Sequence, residues 1–330
     1  LQGEPSKAAA ALAEGLEKNP DNVDLCLVMA EVLVAQRRTA ELDALFQKLA
    51  QRQPKSGAVA AAVGDFYMMH GERERAGAAF RRGMAANAED LTLKQRMVEW
   101  HIVGGHFKEA EALNREILRR KPKDLTAKLA HGRILLATGK ADEAIAELRG
   151  QIREAPDTWQ AHYYLAVAMR EDPTRLAQAK DEFQQALRIA PDNAKVRESL
   201  TELCLQMREL PLARETAERA VQLQPGRAQA RILLGTVLLA ERNLAGAREQ
   251  LTVAAKLAPG DPRVRRGNFI LPVELERDVH VFRRIGCVPA AMDVGDLRSA
   301  VPRRSGERER VHLGLPAAEH RGRDLHVPLW

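Results

Sequence analysis

One short phrase recurs along this chain: an apolar run closes at proline or alanine, two or so polar residues follow, and a new run begins. It appears as KNPDN around Pro20, RQPKS around Pro54, ANAED around Ala88, RKPKD around Pro122, EAPDT around Pro156, IAPDN around Pro191, LQPGR around Pro225 and LAPGD around Pro259. The interval is 34 residues every time, except for 35 between Pro156 and Pro191. A single period held over most of a chain calls for stacked supersecondary units that touch only their neighbours, and excludes one globular core. The extra residue falls near REDPT, Arg170 to Thr174, where a loop can absorb it.

Composition decides what each unit is made of. Aromatic residues are only 4% of the chain while Ala, Leu, Glu, Gln and Arg dominate, which favours closely packed helices over strands. Within a period the pattern reads helix, turn, helix. In residues 91–124 the two helical runs are split by Gly104 and Gly105 and closed by Pro122. Glycine there allows positive φ at the end of the first helix, and proline stops the second. Gly71 and Gly139 occupy the same inter-helix place, and Pro211 stands where a second helix begins, a position that tolerates its missing N–H. No apolar run reaches 18 residues, so the sequence predicts no transmembrane helix.

With the period in hand, the small and large residues inside it resemble the tetratricopeptide (TPR) pattern. Val63, Gly64, Tyr67, Ala76 and Phe80, then Ala88 in place of proline, carry the likeness in one repeat. Leu165, Ala166, Ala179, Phe183, Ala186 and Pro191 carry it in another, and Leu234, Gly235, Leu238, Ala247, Leu251, Ala254 and Pro259 in the last. The resemblance implies an all-α fold, a right-handed α-solenoid of stacked antiparallel helix pairs. It places the second helix of a truncated repeat at 1–22 and seven tandem repeats at 23–56, 57–90, 91–124, 125–158, 159–193, 194–227 and 228–261. A start inside half a repeat fits a piece of a longer TPR protein of bacterial type. Two departures stand out. Leu42 replaces the usual small residue, which predicts wider helix spacing there. Repeat 91–124 has Val98, His101 and Asn114 at the small, aromatic and bulky positions, so it is expected to pack worst.

The pattern stops after Pro262. Residues 262–330 hold 13 Arg, no Lys and nine acidic residues, so most of the overall charge of +6 belongs to them. The bias toward Arg, Pro, Gly, Val and His reads as a disordered tail or as an out-of-frame translation of a GC-rich gene. A phosphate-gripping role is the weaker reading, because Glu307 and Glu309 interleave with Arg303, Arg304, Arg308 and Arg310 and no aromatic is placed to stack on a base. Nucleic acid is not an expected partner.

No catalytic constellation stands out in the sequence. His101, His106, His131 and His162 have no carboxylate or cysteine at ligand spacing, and the three cysteines, Cys26, Cys204 and Cys287, form no C-x-x-C pair. Cys26 and Cys204 lie on apolar helix faces, as small core residues do. Neither metal nor cofactor is expected, and the protein is read as a non-enzyme.

What such an array offers is a surface lined by one face of every first helix. The resemblance assigns to that concave groove Leu27, Glu31 and Val34; Asp65, Met68 and Met69; Gln95, Glu99 and Ile102; and Leu129, Arg133 and Leu136. It continues with Tyr163, Val167 and Arg170; Glu198, Glu202 and Leu205; and Ile232, Thr236 and Leu239. The Lys and Asn clamp of chaperone-type TPR domains is missing from that set. Aliphatic, Met and Tyr side chains edged with mixed charge suit an amphipathic helix or extended peptide with apolar anchors, the charges setting register. The expected function is therefore a protein-interaction scaffold with a protein or peptide partner. Alternatives are an accessory subunit of bacterial secretion or exopolysaccharide export, or the substrate-recruiting part of a larger enzyme. Either a cytoplasmic or a periplasmic location fits.

Overall fold

A turn that satisfies its own backbone explains why the phrase is written so often. The computed structural model describes residues 5–259, and the expectations for residues 262–330 lie outside them. Fifteen α-helices make up the described residues, joined by short turns. They fall into two compact units, one ending at Pro156 and the other beginning at Asp157. The first holds α1 (Pro5–Lys18) and four helix pairs: α2 (Val23–Ala35) with α3 (Thr39–Arg52), α4 (Gly57–Met69) with α5 (Arg73–Ala86), α6 (Leu91–Val103) with α7 (Phe107–Arg120), and α8 (Leu125–Ala137) with α9 (Ala141–Glu154). The second holds α10 (Trp159–Met169) with α11 (Leu176–Ile189), α12 (Ala194–Gln206) with α13 (Leu210–Leu223), and α14 (Ala228–Ala240) with α15 (Leu244–Leu257).

Between pairs, the residue two beyond the proline, or beyond Ala88, is the N-cap of the next first helix. Asn22, Ser56, Asp90, Asp124 and Asn193 each accept a backbone N–H from the third helical residue, at 2.9 to 3.2 Å. Each satisfies an amide that the helix itself cannot. Inside a pair, the first helix ends in a left-handed residue, and the next N–H reaches back to a carbonyl five residues earlier, as in Glu72 N to Tyr67 O and His106 N to His101 O, both 2.9 Å. Gly71, Gly105 and Gly139 adopt the positive φ, whereas Gly104 stays right-handed. Arginine takes the same conformation at Arg37, Arg208 and Arg242, against its steric preference. The extra residue of 159–193 is spent on a 3₁₀ turn, Pro173–Arg175, capped by Asp172.

The core repeats as a matched couple inside each pair. Gly64 is small because Phe80 is large: a Cβ built on Gly64 would fall inside the Phe80 ring. Gly132 meets Leu148, Ala166 sits at the place filled opposite by Phe183, and Gly235 meets Leu251 in the same way. Where the first helix carries a larger residue, Val98 or Thr201, the second carries a compact one, Asn114 or Ala217. Ala76, Ala110, Ala144, Ala179, Ala213 and Ala247, one on each second helix except α3, which carries Leu42, are all fully enclosed and let the two helices approach.

The expectation that residues 91–124 pack worst does not hold. Leu93, Val98, Ile102, Ala110 and Ile117 are at most 2% exposed. Asn114 Nδ2 donates to Ala127 O at 2.9 Å, tying this pair to the next, and the buried Lys94 Nζ holds Glu116 at 2.8 Å. A cleft of about 790 Å³ opens among α1, α2 and α3, lined by Cys26, Met29 and Leu33, while Leu42 is itself enclosed in the core and does not line it.

Candidate partner-binding face

In the first unit, successive first helices are linked by polar side chains roughly one period apart. Glu31 on α2 meets His70 Nε2, just after α4, at 3.1 Å. Asp65 on α4 accepts from Arg96 Nε on α6 at 2.7 Å, and Glu99 on α6 accepts both Nη atoms of Arg133 on α8, at 2.5 and 2.9 Å. Gln95 Nε2 donates to Asp124, the cap of α8, at 3.0 to 3.1 Å. This ladder defines one face. Side chains three or four residues from its rungs share that face: Leu27 and Val34 beside Glu31, Met68 and Met69 beside Asp65, Leu129 and Leu136 beside Arg133. All six are half-buried except Met69, which is 74% exposed. Ile102, by contrast, is wholly enclosed.

The second unit has its own ladder. Arg170 Nη1 reaches Glu202 at 3.2 Å, Gln229 Nε2 reaches the other oxygen of Glu202 at 3.4 Å, and Arg227 holds Glu198 at 2.6 and 3.1 Å. Here the expected surface positions are mostly covered. Tyr163, Glu198, Leu205, Ile232 and Thr236 are each no more than 8% exposed. The Tyr163 hydroxyl lies 3.4 Å from Ser199 Oγ with Lys195 Nζ over its ring, and Thr236 Oγ1 donates to Ile232 O at 2.9 Å. Val167 and Leu239 are half-buried, the latter against Ile232 and Leu251.

Charge on these faces is therefore largely occupied in joining neighbouring helices. Burial raises the carboxyl pKa of Asp65 and of Glu198, with Arg96 and Arg227 opposing the shift. The Tyr163 phenol is likewise raised by burial. Burial also pushes the Cys26 thiol up and that of Cys204 to about 12, so neither is a nucleophile at neutral pH. Besides His70, carboxylates reach two more histidines: His162 Nδ1 lies 2.6 Å from Glu182 and His131 Nδ1 3.8 Å from Glu147. Those acids sit on the second helix of the same pair, far from any ligand spacing in sequence. Among the described residues, no group of three or more His, Cys, Asp or Glu is placed to hold a metal ion, and no helix is long and apolar enough to cross a membrane.

The rungs His70, Arg96, Asp124 and Arg227 were absent from the sequence reading. A search for opposite charges 29 to 39 residues apart, one repeat along, would have found His70, Arg96 and Arg227, but not Asp124, whose partner Gln95 is neutral.

An all-α chain of capped helix pairs, joined by Schellman turns and by polar ladders one period long, is a helical-repeat interaction scaffold. Two tetratricopeptide repeat family models match, over residues 101–169 and 203–262. The chain thus carries tetratricopeptide repeats over those residues. Solved structures agree on the fold. A chain of the APC/C hetero-tetramer Cut9–Hcn1 aligns at TM-score 0.61 and 15% identity, over 81% of this chain and 52% of that one. A tetratricopeptide repeat protein from Parabacteroides merdae aligns at 0.57 and 12%, over 76% and 98%. PilF of Pseudomonas aeruginosa aligns at 0.51 and 17%, over 64% and 96%. This chain thus spans about half the length of the Cut9–Hcn1 chain that it resembles. No curated protein matches it in sequence.

Proposed function

We propose that this protein binds a helical or extended segment of a partner protein along the first-helix face of residues 23–137, with apolar side chains as anchors. The observation that carries the reading is that the exposed Met69 and the half-buried Met68, Leu129 and Leu136 line a face whose charges are already paired with one another. Paired charges hold the helices in register and leave the aliphatic and thioether groups as the surface free to take a ligand. Methionine adapts to anchors of different shape, and a peptide with apolar residues at helical spacing would bury them there. The seven repeats assigned to 23–261 would then divide between an open binding stretch and a more tightly covered one.

A photo-crosslinking residue placed at Met69 or at Leu129 in the full chain tests this, with one at Arg115 on α7 as the control. Crosslinks to the same partner from 69 and 129 but not 115, lost on Met68→Glu with Leu136→Glu, are the expected result. A partner crosslinked equally from all three sites would overturn the assignment of the face.

A further inference from the structure

The turn that follows α6 gathers cationic and protonatable side chains around one aromatic ring. Trp100, 7% exposed, lays its indole against α5 where Gly77 leaves room; a Cβ there would lie 2.5 Å from the ring. Its Nε1 donates to Arg73 O at 2.9 Å. The guanidinium carbons of Arg73 and Arg81 stand 5.7 and 5.4 Å from the indole centroid, and the rings of His101 and His106 lie 4.9 and 6.0 Å from it. Four cationic or protonatable side chains thus surround one aromatic ring.

Two of them converge on a single point. A Cβ built on Gly104 would run into Arg73 Nη2 and lie 2.7 Å from His106 Nδ1, so glycine leaves that space to a guanidinium and an imidazole. Among the described residues none of the four side chains forms an ion pair, and the enclosed Arg73 Nε and His101 Nδ1 have no hydrogen-bond partner. Elsewhere in this unit Arg38, Arg75, Arg96, Arg115, Arg120 and Arg133 each hold a carboxylate. Burial lowers the imidazole pKa of His101; Glu109 opposes the shift, and His106, Arg73 and Arg81 add to it. Like charges gathered at an open turn raise the local potential, and donors without acceptors are costly to leave unmatched.

We infer that the Gly104–Gly105 turn, with Arg73 Nη2 and His106 Nδ1 as its donors and Arg81 and His101 behind them, is a binding site for a phosphate group. A phosphomonoester carries close to two negative charges and three acceptor oxygens, which suits two guanidiniums and an imidazole better than the single charge of a carboxylate. Gly105, in its left-handed conformation, and His106 keep the site open to solvent, and the indole holds the arginines by cation–π contact. The site lies at the turn edge of the helix pairs and does not depend on the partner-binding face proposed above.

Calorimetric titration of the full chain at fixed ionic strength tests it, with inorganic phosphate, a phosphoserine peptide and the same peptide unphosphorylated as probes. Saturable binding of phosphate or phosphopeptide, weakened by at least about tenfold in His106→Gln and further in Arg73→Gln with His106→Gln, is expected, while Arg82→Gln on the same helix changes nothing. His106 is exposed, so its single variant stands even where the double variant melts early. A phosphopeptide bound more tightly than inorganic phosphate identifies a phosphorylated partner as the source, and equal affinities a free anion. Absence of saturable binding to either, or affinities unchanged by His106→Gln, would overturn the inference.

Discussion

The face expected to meet a partner takes Met69, the last residue of α4, and Ile232, the fifth of α14, yet one is 74% exposed and the other 5%; at matched places, Leu129 is half-buried where Ile232 is enclosed. The two regions share a period, a cap and a turn, and both knit their first helices together with polar rungs. What differs is the burial beside those rungs: in α12 and α14, Glu198, Leu205, Ile232 and Thr236 belong to the interior of their unit. In α4 and α8 methionine and leucine stay partly in water. Position within a repeat fixes the direction in which a side chain points. Exposure is fixed by what the neighbouring helix places in front of it.

The strongest way to break this contrast is to put the same charge at both places. Ile232→Glu buries an unpaired carboxylate and should cost about 4 kcal/mol or more, whereas Met69→Glu should stay within about 0.5 kcal/mol of the parent. Parallel denaturant melts compare them, and equal midpoints would erase the distinction.

A second comparison sets one rung against another. Arg227→Ala leaves the enclosed Glu198 without its counter-ion and should cost about 2 kcal/mol at neutral pH, while Arg96→Ala, between half-exposed partners, should cost about 0.5 kcal/mol. The pH dependence has a definite sign. Burial already holds the folded pKa of Glu198 above its ordinary value, and loss of Arg227 raises it further. The ionised group therefore costs stability above that pKa, and the deficit of Arg227→Ala shrinks as the pH falls through it toward the unfolded value. A deficit independent of pH from neutral to mildly acidic conditions would assign the loss to packing.

The smallest effect concerns the turns. Arg242 holds a left-handed conformation that glycine adopts freely, so Arg242→Gly should raise stability by about 0.5 kcal/mol, whereas the reverse change, Gly139→Arg, should lower it by about 1 kcal/mol. Thermal melts of the two variants read both signs.

Much of this was legible before any coordinates. The period, the small and large positions and the glycine turns are local regularities, and each reflects a backbone or packing need met within about 34 residues. Helix class and pairing followed from them. The ladders were not legible, because Glu99 and Arg133 look like ordinary solvated charges until two different helices bring them together. The burial of Tyr163 and Ile232 was hidden for the same reason. Position alone also misjudged residues 91–124: counted against a pattern, Asn114 is a defect, but its amide reaches the next pair's backbone and Trp100 fills the space beside Gly77.

The matched couples have a consequence for how such a chain can be inherited. Gly64 fits Phe80, Val98 and Asn114 take the same two places in the next pair, and the members of each couple stand 16 residues apart. A recombination that joined one repeat's first helix to another's second helix would drive Phe80 against Val98, or leave a void between Gly64 and Asn114. Exchange at the proline turns keeps every couple intact. The heritable unit of this array is the helix pair, with crossing-over tolerated at the boundary the recurring phrase marks.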